Sequence, residues 1–195
     1  MNRETVPLFP LHTVLFPGGP LPLRIFEPRY IDMVSHCMKT TTGFGVCLIS
    51  SGEEIGEAAA TYEIGTLARI VDWHMRHDGL LGITACGGQR FRVYSQEVQP
   101  NKLTMAEVER IPDEPPSDVP MQYLSLVDML RQLIEGIGHY YSGLPKNYGD
   151  ASWVGFRLAE LLPLRLAQKQ ALLQLTSPVQ RLERICVLMD DLDIR

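Results

Sequence analysis

The sequence predicts an α+β protein: a mostly antiparallel, closed β-sheet with one helix, followed by a C-terminal α-helical bundle. Two observations carry this prediction. Up to residue 111, apolar residues occur in short alternating or Gly/Pro-bounded segments, which is typical of strands. Beyond residue 120 they recur every three or four positions, which is typical of amphipathic helices. The predicted domains are therefore 1–112 and 121–195, joined by a stiff, solvated, Pro-rich linker at 113–120.

An uncharged apolar segment opens the chain at residues 5–23. It is long enough to span a bilayer as a helix. Its prolines exclude that structure, because each costs about 3 kcal/mol inside a helix. We therefore predict no membrane span here, but two extended strands that form a hairpin around a turn at 16–20.

A helix is predicted next, with Pro28 in its first turn, where a missing N–H costs little. An Asp-Gly pair at Asp78 then favours a hairpin, and Gly87 and Gly88 predict a further turn. Residues 51–63 form a polar loop. The predicted strands of this part are 44–49, 65–75, 80–86, 90–94 and 103–111. Consecutive hairpins without crossover helices indicate a closed antiparallel sheet, since closure removes exposed edges.

Four helices are predicted after the linker. The first carries an apolar face from Tyr123 to Tyr141. Asp150 caps the second, which ends near Pro163. The third covers 166–175, and Ser177 caps the fourth.

Composition excludes several classes of function. The 18 basic and 23 acidic residues give a net charge of −5, and no two basic residues are adjacent, which disfavours nucleic-acid binding. The four cysteines form no Cys-x-x-Cys pair, so we expect reduced thiols and no structural zinc. No signal peptide is recognisable, and a cytoplasmic protein is predicted.

The sequence contains no recognisable catalytic or cofactor site. A Gly-Lys dipeptide is absent, and with it the phosphate-binding loop of ATPases. His74, His77 and Asp78 are the densest titratable cluster, but they lie at a predicted turn, where a solvated role is favoured over metal binding. We therefore predict no cofactor, no metal and no enzymatic activity.

The motif LPLRIFEPRY at 21–30, preceded by PLFPLHTVLFPG at 7–18, resembles the opening of the Lon N-terminal (substrate-binding) domain family in its stand-alone bacterial form. GTLARI at 65–70, GQRF at 88–91 and KQALL at 169–173 resemble the same family in the same order. The resemblance implies a PUA-like β-barrel followed by a helical bundle. It also implies binding of other proteins as the function.

The main hypothesis is a non-catalytic module that binds extended or unfolded polypeptide, chiefly through the barrel half. Arg and aromatic residues dominate protein-binding hot spots, and apolar residues on a stiff, proline-rich backbone lose little entropy on binding. The candidate contact residues are Phe16, Leu21, Arg29, Trp73 and Met75.

Two alternatives stay open at this point. PUA-like folds include RNA-binding proteins, although the net charge opposes that function. The chain is alternatively an accessory subunit of an ATP-dependent protease. The sequence identifies no partner and no oligomeric state.

Overall fold

The computed structural model of the chain describes residues 3–137, 141 and 143–191. They form two compact units that divide between Asp113 and Glu114. The first unit combines strands with one α-helix, and the second is helical. The strands are β1 (Arg3–Leu11), β2 (Pro20–Ile25), β3 (Phe44–Ser51), β4 (Ala60–Thr61), β5 (Ile64–Met75), β6 (Leu81–Val98) and β7 (Thr104–Arg110).

Five strands form a hydrogen-bonded ring in the order β1-β7-β6-β5-β3, which closes because β1 also pairs with β3. The β1–β3 pair is parallel, and the other pairs of the ring are antiparallel. Outside the ring, β2 pairs with β6 and β4 pairs with β3. The predicted mixed fold with a mostly antiparallel sheet is confirmed.

The hairpin predicted between the two opening strands is wrong. Both strands are extended, but β1 pairs with β3 and β7, whereas β2 pairs with β6. The segment between them contributes Val14, Leu15 and Phe16 to the buried core. The Thr66 hydroxyl donates to the Leu15 carbonyl at 2.6 Å and holds the segment in place. The predicted turn itself forms, since Gly19 donates to the Phe16 carbonyl at 2.9 Å and Gly18 has φ of 72°, but it leads β2 to β6 rather than back to β1.

Apolar side chains of the first unit form two buried clusters. One draws on each strand of the ring and fills it: Val6, Leu8, Cys47, Phe91, Ala106 and Val108, with Leu67 and Val93 partly buried beside them. The other joins the helix to the sheet. There the rings of Phe9 and Tyr30 stack with their centroids 4.0 Å apart.

The helix of this unit, α1, covers Pro28–Thr40 with Glu27 at the N-cap and Pro28 at the first position, as predicted. It buries Tyr30, Met33 and Val34 against the sheet. The predicted helix start is therefore confirmed. It could be predicted because a proline at the first helical position is a signal carried by neighbouring residues alone.

The turn predicted at Gly87 and Gly88 is wrong, since both lie inside β6. Gly87 donates to the Gly19 carbonyl at 2.8 Å, and its own carbonyl accepts from Gly18 at 2.7 Å. A Cβ on Gly87 would lie 2.2 Å from the Phe16 carbonyl oxygen. The glycine is therefore required by a close backbone approach rather than by a turn.

The second unit contains four α-helices within the described residues, after a short 3-10 turn at Met121–Tyr123. These are α2 (Leu124–Ile137), α3 (Ala151–Leu161), α4 (Leu166–Gln174) and α5 (Pro178–Asp190). The Asp150 and Ser177 caps are confirmed, since they accept from the Trp153 and Gln180 amides at 3.1 and 3.4 Å. The first helix is predicted to reach Tyr141, but 138–140 lie outside the described residues. Within the described ranges, every helix is too short or too polar to cross a membrane.

The Pro-rich segment differs from the predicted solvated linker. Glu114 belongs to the second unit, and its carboxylate is buried against Arg181. The Ser117 carbonyl accepts from the Ala151 amide at 2.7 Å, and Asp118 forms a β-bridge with Asp150. This segment therefore packs on α3 and α5, and the three-part division of the chain stays a prediction.

We expect the ring-filling thiol to be unreactive in the native protein. All four cysteines are free, and burial raises the pKa of Cys47 to about 12. At pH 8 such a thiol is ionised to a fraction of only about 10⁻⁴, and the thiolate is the reactive form. Iodoacetamide should therefore alkylate the half-buried Cys86 well before Cys47, as measured by peptide mapping with and without urea. Early alkylation of Cys47 would contradict a closed, packed ring.

Candidate functional site

The end of the β5–β6 hairpin exposes large apolar side chains. Trp73 and Met75 are 56% and 66% exposed. Trp73 lies opposite Ile83 and Met75 opposite Leu81, while Leu23 of β2 also lies opposite Ile83. Directly opposite residues of antiparallel strands share a face. Trp73 and Met75 are here called the hairpin strip. They therefore lie on the same face of the sheet as the buried apolar residues, but at its exposed end.

One edge of β5 has no strand partner over its second half. β6 pairs with β5 as far as Met75, but β3 pairs with it only from Thr66 to Ala68. No strand within the described ranges pairs with that edge beyond Ala68. We call residues 70–75 the β5 edge. An unpaired edge presents N–H and C=O groups at the spacing of a strand and is a template for another one.

A groove of about 220 Å³ lies between the β5 edge and the C-terminal end of α1. Met38 and Thr41 line it on the helix side, and residues 69–73 line it on the strand side. α1 ends here because Thr41 has a left-handed backbone with φ of 55°. A Cβ on Gly43 would lie 2.5 Å from the Ala68 carbonyl oxygen. The chain thus approaches β5 closely at Gly43 and leaves the rest of the edge open.

The charges around the groove are unevenly satisfied. Asp72 accepts a hydrogen bond from the Trp73 amide at 2.9 Å. Asp78 lies 3.4 Å from Arg76 in the adjoining turn, and this pair is exposed. Lys39 and Arg69 are exposed and form no ion pair with any residue that the structure describes. The groove therefore favours an acidic rather than a basic partner.

A larger, half-open cavity of about 850 Å³ lies among β1, α1, β5, β6 and β7. Its charged wall includes Glu4 and Arg110, which pair with each other at 2.5 and 3.0 Å, together with Asp32 and His36 of α1. No cluster of three or more His, Cys, Asp or Glu suited to a metal ion occurs in the described part of the chain. Glu4 and Arg110 already form an ion pair with each other. The cavity therefore indicates a ligand less directly than the β5 edge does.

The structure separates the five residues predicted from the sequence. Trp73 and Met75 lie together on the exposed hairpin strip. Leu21 is half-buried near the start of β2, where it packs against the core and lies opposite Ala85. Phe16 is fully buried in the connection after β1. Only two of the five predicted residues therefore form a single exposed surface.

Arg29 has a structural position rather than a surface one. Its side chain is 5% exposed and lies 3.0 Å from the Glu27 carboxylate. The guanidinium donates to the Lys102 carbonyl at 2.9 Å and lies 4.7 Å from the centre of the Tyr30 ring. Phe16 and Arg29 are thus both buried within the fold, and their part in binding polypeptide stays a prediction.

The candidate residues predicted from the sequence include neither Met38 nor Arg69, and the open edge itself was not predicted. One signal was available: the predicted strand 65–75 is almost twice as long as the strand 44–49. A long strand beside a short one leaves part of its edge unpaired. Strand order was needed to use this signal, and the sequence did not provide that order.

These observations define a mixed α/β domain with an exposed apolar strip and an open strand edge. The sequence model of the family described as "ATP-dependent protease La (LON) substrate-binding domain" matches residues 5–191. The chain belongs to this family, which confirms the resemblance seen in the sequence.

Several proteases resemble the chain over part of their length. Lon protease 2 of Myxococcus xanthus is 30% identical over 144 residues, which are 69% of this chain and 17% of the protease. Lon protease of Rhizobium meliloti is 24% identical over 195 residues, covering 97% of this chain and 24% of the protease. The chain thus spans between about a sixth and a quarter of these relatives. Protein cereblon of Danio rerio is 30% identical over 114 residues, which are 56% of this chain and 26% of cereblon.

Solved structures resemble the chain over almost its whole length. A Lon N-terminal domain protein from Xanthomonas campestris is 36% identical with a TM-score of 0.80, and the match covers 94% of this chain and 98% of that one. The N-terminal domain of the Mycobacterium avium complex Lon protease is 16% identical with a TM-score of 0.66, covering 96% and 99%. The second likeness concerns the fold alone. Both identify a Lon N-domain fold.

Proposed function

We propose that this chain is a non-catalytic module that binds other polypeptides in extended or unfolded form. The observation that carries the proposal is the hairpin strip, where Trp73 and Met75 are exposed beside an open strand edge. Membership of a family described as substrate-binding supports it. The ring of the first unit is proposed to be a PUA-like barrel, and the helices of the second to form a bundle.

The strip has the chemistry that unfolded chains require. Trp and Met combine large apolar surfaces with tolerance for different partners, because Met is flexible and polarisable. Both side chains project from a paired strand, so little backbone entropy is lost on binding. An apolar contact of a few hundred Å² gives an affinity on the order of micromolar. Such binding suits capture and release rather than permanent association.

The described surface favours polypeptide over RNA. Several arginines of the sheet are paired with carboxylates, as in Arg3 with Glu107 at 3.3 Å and Arg92 with Glu63 at 3.8 Å, and Arg69 is the exception described above. Paired arginines release few counterions from a phosphate backbone. We therefore expect RNA binding to be weak and without sequence preference.

Removing the strip should weaken binding of unfolded protein at least tenfold. In Trp73→Ala/Met75→Ser, two large apolar contacts are lost, and such contacts contribute about 1.5–3 kcal/mol each when fully buried by a partner. Fluorescence anisotropy with labelled, reduced and alkylated lactalbumin measures the change. The matched control is Met121→Ser, which removes a methionine that is 87% exposed in the second unit. It should leave the affinity unchanged.

Two results would contradict this proposal in different ways. Undiminished binding by the double variant would show that another surface binds polypeptide. Absence of binding by the unaltered protein at 100 times the expected micromolar Kd would show that polypeptide capture is not its function.

A further inference from the structure

We propose that the β5 edge binds polypeptide by strand addition. The occupant is an extended segment of another chain, apolar at alternate positions and carrying a carboxylate at the end near Arg69. It pairs with β5 beyond Ala68, where β3 no longer pairs with this strand. This inference rests on the proposed function and specifies how the segment is held. Main-chain hydrogen bonds then supply affinity for many sequences, and alternate side chains supply selectivity.

The backbone of the β5 edge has the required donors. The Trp73 amide donates to the Asp72 side chain at 2.9 Å, which places this N–H on the side away from β6. Alternate residues of a strand direct their N–H and C=O groups to the same side, so Met75 presents its groups there too. Each of these two residues can exchange a pair of hydrogen bonds with a residue opposite it on an added strand.

The side chains beside the edge select the occupant. Residues opposite Trp73 and Met75 on an added strand share their face, where Met38 lines the far wall of the groove. Apolar residues are favoured there. The intervening residues share the other face. The register of β5 on β6 shifts between Ile70 and Asp72, so that Arg69, opposite Cys86, lies on the same face as Asp72, opposite Thr84. Arg69 is exposed and pairs with no described acid. A carboxylate at that position gains an ion pair.

Asp72 acts as an internal competitor for the edge. Its carboxylate accepts the hydrogen bond of the Trp73 N–H, which the carbonyl of an added strand would have to accept instead. Removing this acceptor in Asp72→Ala should raise the affinity for the added strand about fivefold, the equivalent of one ordinary hydrogen bond. In the control Asp72→Asn, an acceptor oxygen stays in place while the charge is lost, and the affinity should change less than about twofold. Equal gains in both variants would assign the effect to charge and count against competition.

Alternating N-methylation of a peptide tests strand addition directly. The probe is an acetylated nonapeptide in which Val or Ile alternates with Ser, with Glu at both ends. Two N-methylated versions are compared. One carries N-methyl groups on the odd-numbered residues, and the other carries them on the even-numbered residues. Only one set of N–H groups faces β5 in an added strand. We expect one version to bind at least tenfold more weakly and the other within about threefold of the unmethylated peptide, with hydrogen exchange slowed at Trp73 and Met75.

Each other outcome has a definite meaning. Equal effects of the two methylation patterns, with retained binding, would overturn strand addition in favour of side-chain capture and leave the proposed function intact. Binding of unfolded lactalbumin without any binding of the peptide would also overturn it. Absence of binding to both would defeat the proposed function itself. A last outcome is slowed hydrogen exchange at the Trp73 and Met75 amides in the absence of peptide, increasing with protein concentration. It would show that the edge binds a second copy of the chain.

Discussion

Replacing Glu114 by Ala is expected to lower the free energy of unfolding of the second unit by about 3–5 kcal/mol, because it leaves a buried charge without its partner. Arg181 is 0% and Glu114 4% exposed, and they pair at 2.9 and 2.5 Å. The guanidinium also donates to the Leu172 carbonyl at 3.0 Å and lies 3.8 Å from the centre of the Phe156 ring. These contacts fix the cation in the interior, so it cannot return to water when the carboxylate is removed.

A matched ion pair in the first unit provides the control. Arg110 and Glu4 have almost the same two-pronged geometry, at 2.5 and 3.0 Å, but their side chains are 54% and 37% exposed. Exposed pairs contribute about 0–1 kcal/mol. Glu4→Ala should therefore change the stability of its unit by no more than that, and the difference between the two variants isolates the effect of burial.

Tryptophan fluorescence separates the two units in this measurement. Trp153 lies in the second unit with its ring 5.1 Å from that of Tyr148. In a Trp73→Phe background it reports urea unfolding of that unit alone, which avoids treating the whole chain as two-state. The control Glu4→Ala is measured in a Trp153→Phe background instead, where Trp73 reports the first unit. A loss below about 1.5 kcal/mol in Glu114→Ala would show that the Arg181 charge is solvated or finds another partner.

Features encoded by neighbouring residues could be predicted from the sequence. Pro28 starts α1, Asp150 caps α3 and Ser177 caps α5, because each cap depends on residues within one helical turn. The Asp-Gly hairpin between β5 and β6 was predictable for the same reason. Local chemistry thus determines where these elements begin and turn.

Strand pairing between distant segments was not predictable in this way. β1 pairs in parallel with β3, although the prolines and glycines at 16–20 favour a hairpin with β2. An apolar segment such as 12–19 can turn in solvent or run through the core, and the choice depends on what covers it. The Pro-rich segment shows the same limit. Its composition suits a solvated linker, yet the pairing of Glu114 with Arg181, 67 positions away, buries its start.

The candidate site was predictable only in part. Trp73 and Met75 are large and apolar, and so is Phe16, but exposure depends on whether another element covers the strand. Arginine gives no better discrimination. Arg29 lies in a motif typical of the family and is buried, while Arg69 lies in another and is exposed. Family resemblance therefore identifies the fold, and the pairing of β5 identifies the surface.

Replacing Gly87 by Ala is expected to destabilise the first unit by about 3 kcal/mol or more, because the new methyl group meets backbone that cannot rotate away. Its Cβ would lie 2.2 Å from the Phe16 carbonyl oxygen, and moving that segment breaks the hydrogen bonds of Gly87 with Gly18 and Gly19. The control is the adjacent Gly88→Ala, whose Cβ would lie 3.4 Å from its nearest neighbour, an ordinary contact.

Unfolding of the two glycine variants is followed by Trp73 fluorescence in a Trp153→Phe background. Gly88→Ala should change the free energy of unfolding by less than about 1 kcal/mol, since Ala is tolerated in strands about as well as Gly. Alkylation of Cys47 provides an independent readout, because displacement of the 16–19 segment loosens the ring and should make this thiol reactive in Gly87→Ala alone. Similar stabilities for the two variants would show that residues 16–19 shift freely, and the connection between β1 and β2 would then not be fixed by its approach to β6.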